Sequence, residues 1–499
     1  MATQRIGSVT VHPHRLLGYL TYCLVLVAVF FWTLRFLPYP SQTTAMALAF
    51  TVGAVVPLCL VFREHIDLIE PIYPFSAMYF FFFPAAVYFI LTDFQFSKHN
   101  LIADPLVRNG VLVRSLILVA LGYLAILSGY FAGSRQARRR PISFEESGGI
   151  PDWLYDIAIA VLFGIGLLNF VYLVSTYPGG LYAYYAEMGL REHRLDKLGE
   201  GVSTAGLQLI VASVWLCLFT LMRRLRREQT VSTLRYVFVA CVVVLAAAAL
   251  TSQGRLFQTV SYCLVVAAMV YAFSSSPTKN RSMILTGIGL FAAGLALYFG
   301  RLVSVLLINQ PEIFSRLGFS GVVNTFFTAL NRLILDSGNV TDLTSLMNTV
   351  AYWEQDYPFL YGESFFAVLS RLLPGLEFRS VAEITQPDWA TGTGAWPPTF
   401  VGELYANFGS TGVICGMLVA GFLLGRIYRS CASSGSFWLT FVLCTVAFRF
   451  AFVLPKGETV NLNGVFWLLA PPLLTVGALQ LVAATLQASK ARHRTGKAV

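Results

Sequence analysis

The chain has 499 residues, of which 56% are hydrophobic and only 12% charged, with a formal net charge of +10. The charged share is roughly half that of an ordinary soluble domain, and a water-soluble fold could not hide so much apolar surface. The basic excess needs no nucleic-acid partner, because membrane topology and attraction to anionic lipid account for it.

A helix needs about 20 predominantly apolar residues to cross the hydrocarbon, since unpaired backbone amides and carbonyls are too costly in lipid. In chain order such stretches fall near Leu16 to Leu37, Thr43 to Phe62, Ile69 to Thr92, Val111 to Ala132, Trp153 to Ser175, Thr204 to Met222, Tyr236 to Ser252, Leu256 to Phe273, Met283 to Leu307, Ser410 to Leu424, Phe437 to Val453 and Gly464 to Leu486. They predict an all-α polytopic membrane protein of about twelve transmembrane helices, a single membrane domain over 1–499. The first stretch is too long for a signal peptide and lacks a small-residue cleavage site, so it is expected to stay as an anchor. The eight cysteines lie in or beside these stretches without a CxxC pair and read as small apolar side chains.

Basic residues favour the cytoplasmic side of short loops. With both termini inside, Arg135, Arg138, Arg139 and Arg140 share one cytoplasmic loop and Arg223, Arg224, Arg226 and Arg227 the next. Lys279, Arg281, Arg426, Arg429 and the tail Lys490, Arg492, Arg494 and Lys497 fall on the same side. Two sizeable loops are then left outside, 176–203 and 308–409, and chemistry is expected there. The second contains apolar segments of helical period, such as Ile313 to Leu335, interrupted by Arg316, Asn324, Asn331 and Arg332. These predict interfacial or re-entrant helices.

Several arginines break the positive-inside trend. Arg191 and Arg194 lie in the first outer loop, Arg332, Arg371 and Arg379 in the second, and Arg255, Arg301 and Arg449 near outer ends of spans. Each alone could snorkel to the headgroups, but together they suit an anion, for which guanidinium offers forked donors and a permanent charge. Aromatic residues crowd the same loops: Tyr177, Tyr182, Tyr184 and Tyr185 in the first, and Tyr352, Trp353, Tyr357, Tyr361, Trp389, Trp396 and Tyr405 in the second. Most fit an interfacial belt, while Trp389 and Trp396 bracket a Gly/Thr/Pro-rich stretch and could stack on sugar rings. The chain has no GxxxxGK[ST] loop, HExxH pair, GxSxG elbow or outer DxD pair, which disfavours a nucleotide-driven enzyme.

Pro358, Tyr361 and Gly362, then Pro374, then PPTFVGELYANFGSTGVICG from Pro397 to Gly416, resemble the bacterial O-antigen or oligosaccharide repeat-unit polymerases of the Wzy type. The early IDLIEPIYPF, with Asp67 and Pro71, is similar to the same family. The resemblance implies a GT-C-like membrane glycosyltransferase without cofactor or metal in the bacterial inner membrane, with its active site on the periplasmic face. Its substrates would be undecaprenyl-diphosphate-linked oligosaccharides, donor and acceptor alike, assembled into O-antigen, capsule or exopolysaccharide. Membrane lipid and a chain-length regulator are the further partners, and nucleic acid is not one. On the family's essential outer-loop arginines we place Arg191 and Arg194 in the first loop and Arg371 and Arg379 in the second, with Arg255 beside them. Tyr361, Trp396, Tyr405 and Asn407 complete the expected substrate contacts.

A base must take the acceptor's proton. Glu403 is the first candidate, with a structural role as the alternative, and His193 is the second. An O-antigen ligase shares this architecture and donor, but the second outer loop contains no histidine. A transporter or flippase would want polar residues at mid-membrane, whereas these candidates lie towards the outer face.

Overall fold

The computed structural model describes residues 13–33, 40–57, 67–91, 101–134 except 103, 140–187 except 145–149, 205–273 except 228 and 253–255, 289, 321, 342–389 except 374, and 397–495. Among them the structure is helical, with one isolated β-bridge between Ser143 and Ser436 and no strand. The protein is an all-α polytopic membrane protein. The helices are α1 (Pro13–Thr33), α2 (Pro40–Val55), α3 (Ile72–Phe82), α4 (Pro84–Leu91), α5 (Pro105–Ser134), α6 (Asp152–Ser175), α7 (Gly180–Glu187), α8 (Ala205–Arg226), α9 (Thr233–Ser252), α10 (Leu256–Phe273), α11 (Asp342–Asp356), α12 (Val381–Trp389), α13 (Thr399–Ser434), α14 (Phe437–Lys456) and α15 (Asn463–Thr495). Single helical turns at Glu363–Phe366, Ala367–Ser370 and Thr459–Leu462 lie between them.

Among the described residues eight helices are long and apolar enough to cross a membrane, and two shorter apolar stretches, Ile72–Val87 and Thr259–Phe273, accompany them. Nearly all of the expected span at Met283 to Leu307 and of the apolar segment from Ile313 to Leu335 lies outside the described residues. The span expected from Ile69 to Thr92 is divided into α3 and α4 at Phe83, because Pro84 has no N–H to continue the ladder. The stretch expected as the second outer loop carries helical structure of its own in α11 and α12.

The chain forms two compact units, the first comprising Met1–Arg138, Phe327–Ser433 and Val446–Asn463. Its central packing is a close crossing of α5 and α13. Each helix contributes a GxxxG pair, Gly129 with Gly133 and Gly421 with Gly425. A Cβ on Gly129 would overlap the Leu418 carbonyl oxygen, one on Gly421 that of Ile126, and one on Gly425 that of Tyr130. The backbones therefore touch where only hydrogen fits, which is how helices gain dispersion contacts in lipid, where no hydrophobic effect drives them together. The contacts advance along both helices in the same direction, so the pair is parallel. Polar side chains fasten the surrounding helices: Tyr79 donates to the Val119 carbonyl (2.8 Å), Tyr123 to that of Val56 (2.7 Å), and Tyr130 to the buried Glu70 (3.0 Å).

The second unit comprises Arg139–Phe326, Ser434–Thr445 and Gly464–Val499. Here α6 lies against α8, with Gly206 beneath Asn169 and Gly166 beneath Ile210. Trp215 of α8 packs on Phe441 and Tyr262, with ring centroids 4.5 and 5.7 Å apart. The outer faces of α6 and α15 remain apolar, with Leu168 and Leu481 exposed, as lipid-facing surfaces require.

Candidate functional site

The site is built on a break in α13 within the first unit. Thr399 accepts the backbone N–H of Gly402 on its hydroxyl (3.2 Å), satisfying one of the free donors of the first turn. The helix then leaves helical geometry at Phe408 (φ −144) and Gly409 (φ 65, ψ −158). Side chains rarely adopt the backbone of Gly409, so glycine is what permits the break. There the carbonyls of Ala406 and Asn407 accept from donors outside the helix, the N–H groups of Leu360 and Tyr361, both at 3.2 Å. The Asn407 Oδ1 accepts the N–H of Gly362 at 2.7 Å. Three successive N–H groups of the 360–362 turn are thus held by the end of one helical segment, and Tyr361 is fixed at φ 48, sparsely populated for a residue with a side chain.

Glu403, one turn before the break, is 0% exposed. Its Oε2 accepts the backbone N–H of Thr459 (2.7 Å), and its Oε1 accepts the hydroxyls of Thr459 (2.7 Å) and Ser364 (3.0 Å). Asn407 closes the network by donating from Nδ2 to Ser364 Oγ (2.8 Å) and to the Glu403 carbonyl (2.7 Å). A buried carboxylate met by three donors is well satisfied, and this one joins the 360–364 turn, α13 and the 457–462 connection. The first part of α13 thus meets the connection that follows α14.

The neighbouring Glu458 is also buried, and its Oε1 accepts the N–H of Ala382 (3.1 Å) at the start of α12, where backbone donors are otherwise free. Burial, and secondly the nearby Glu403 carboxylate, hold the Glu458 carboxyl well above the usual range. The same helix start carries a capping box, with Ser380 N–H donating to Glu383 Oε2 (2.9 Å) and Glu383 N–H to Ser380 Oγ (3.3 Å). Arg371 forms an ion pair with Glu383.

The structure brings together Glu403, Asn407 and Tyr361 of the residues singled out from sequence. Tyr361 is 78% exposed and, with the exposed Phe366 and Phe408, offers aromatic faces beside the network. Tyr405 points elsewhere: it is buried and donates to Glu354 Oε1 (3.0 Å), fastening α13 to α11. Arg371 and Arg379 are both exposed, and Arg371 is committed to Glu383. Arg191, His193, Arg194, Arg255 and Trp396 lie outside the described residues. Sequence reasoning missed Ser364, Thr459 and Glu458. The signal for Glu458 and Thr459 is the polar GETVN between two apolar runs, a connection too short to stand out as a loop. Among the described residues no group of three or more His, Cys, Asp or Glu could hold a metal ion.

Residues 390–483 match the family model for the O-antigen polysaccharide polymerase Wzy. No curated protein and no solved structure matches the chain.

Proposed function

We propose that this protein polymerises undecaprenyl-diphosphate-linked oligosaccharide repeat units into a surface polysaccharide, by metal-independent inverting glycosyl transfer on the periplasmic face of the inner membrane. The observation that supports this reading most is the family match over 390–483, because that stretch contains Glu403, Asn407 and Thr459, three of the four members of the polar network. In this reaction a terminal sugar hydroxyl of the acceptor unit attacks the anomeric carbon of the donor chain. The bond to the donor's diphosphate breaks, and undecaprenyl diphosphate leaves. Arg191, Arg194, Arg255 and Arg379 are the guanidinium candidates for neutralising the leaving group, which lowers the barrier where charge develops. The exposed rings of Tyr361 and Phe408 supply faces for sugar.

Glu403 enters this reading as a positioning residue, because both of its oxygens are engaged by Ser364 and Thr459. The acceptor proton is assigned to His193, with Glu403 its alternative only where the carboxylate is released from Thr459.

Deleting the gene and examining surface polysaccharide separates the readings. The polymerase reading expects carriers bearing a single repeat unit. Long lipid-linked chains that fail to reach the outer membrane would instead identify a ligase, and single units trapped on the cytoplasmic face a flippase.

A further inference from the structure

The second unit holds a cavity of about 660 Å³ among α6, α8 and α9, which nothing in the glycosyl transfer uses. Its walls have two chemistries. Asp156, Thr220, Arg224 and Arg235 make one end polar, while Ile159 and Phe238 line an apolar continuation. The polar end lies where three helix ends meet: the start of α6, the end of α8 and the start of α9. Trp153 and Tyr236, both exposed, stand beside it in sequence, as aromatic residues do at headgroup depth.

The arginines are held in place before any ligand arrives. Arg235 Nη2 pairs with Asp156 Oδ1 (2.7 Å) and donates to Thr220 Oγ1 (3.1 Å), and Arg224 Nη2 pairs with Asp156 Oδ2 (3.2 Å). Arg224 Nε also faces Asp152 (3.5 Å), whose other oxygen meets the buried Arg223 (3.2 Å). One carboxylate thus holds two guanidiniums on either side of it, and these contacts engage only part of their ten N–H donors. The stretch from Arg223 to Arg235 contains five arginines and one glutamate, so with the two aspartates of α6 this membrane end keeps an excess of two positive charges.

We propose that this cavity binds an anionic phospholipid, its phosphate on Arg224 and Arg235 and its acyl chains along Ile159 and Phe238. Phosphate is the anion present at this depth of a bilayer, and forked guanidinium donors fit it. The apolar wall distinguishes a lipid from a free anion. The positive-inside pattern puts this end opposite the sugar chemistry, so the lipid is a bilayer constituent and not the diphosphate substrate.

The test uses the purified full-length protein in neutral detergent, with its unfolding temperature followed while phosphatidylglycerol, phosphatidylcholine, or glycerol 3-phosphate with inorganic phosphate is added. A saturable rise is expected with phosphatidylglycerol alone. Arg224→Gln combined with Arg235→Gln should move the midpoint to about tenfold higher lipid or more. Asp156→Asn removes the carboxylate that competes for the same donors and should move it to lower lipid. An equal response to phosphatidylcholine, a response to the soluble phosphates matching that to phosphatidylglycerol, or an unchanged midpoint in the double variant would each overturn the proposal. Should the double variant not fold, Asp156→Asn decides, since a merely structural Asp156 gives no tightening.

Discussion

Glu403 and Thr459 are joined twice, the carboxylate accepting both the backbone N–H and the side-chain hydroxyl of Thr459 at 2.7 Å. Glu403→Gln replaces one acceptor with an NH2 group that faces donors. Each buried donor left unpaired costs about 1–3 kcal/mol, so the variant should unfold at a clearly lower temperature and lose chain growth together. Thr459→Val, which removes only the hydroxyl, should show a smaller loss of both. A Glu403→Gln protein as stable as the parent yet without activity would contradict the positioning role and restore Glu403 as the base.

The ion pair between Arg371 and Glu383 predicts a reciprocal result. If Arg371 serves α12, then Glu383→Gln, which keeps an acceptor for Ser380, should impair chain growth as much as Arg371→Gln, and Arg371→Lys, which keeps the charge, should recover most of it. Stability should hardly change, because exposed pairs contribute less than about 1 kcal/mol. An active Glu383→Gln beside an inactive Arg371→Lys would assign Arg371 to the substrate.

Glu458 carries a pH signature. Its carboxyl is held above the unfolded value of 4.5 by burial, so the folded protein binds the extra proton. That contribution to stability is fully present below the unfolded value and is lost as pH rises through the raised folded value. Glu458→Gln should therefore match the parent near pH 4.5 and gain on it progressively towards neutral pH in thermal unfolding. A difference that stays constant with pH would show that Glu458 is not protonated in the fold.

The crossing of α5 and α13 predicts a severe effect from small additions. Gly425→Val places carbon against the Tyr130 carbonyl, a backbone atom that cannot turn aside. Overpacking of this kind costs about 1–3 kcal/mol or more, and the expected result is loss of monodisperse protein after extraction. Gly477→Ala, with open space around its Cβ position, should extract normally.

The helical fold was legible because a membrane allows little else for long apolar runs, and α10 falls on the expected Leu256 to Phe273. The start of the span expected at Ser410 is the break at Phe408 and Gly409. What composition could not convey is pairing. Nothing in a hydropathy pattern says that Tyr405 would turn to Glu354, or that Gly133 and Gly425 would meet across two helices far apart in sequence. Glu403 was visible as a lone carboxylate beside a span. Its partners Ser364 and Thr459 are common residue types in separate loops, and only tertiary contact distinguishes them.

The central claim is chain growth from lipid-linked units, and incubation of the purified protein with synthetic undecaprenyl-diphosphate repeat units, in the presence of chelator, measures it directly. The account predicts a ladder of products separated by one repeat unit, with release of undecaprenyl diphosphate. Unchanged single units from folded protein, or a ladder that appears only when a divalent metal is restored, would contradict it.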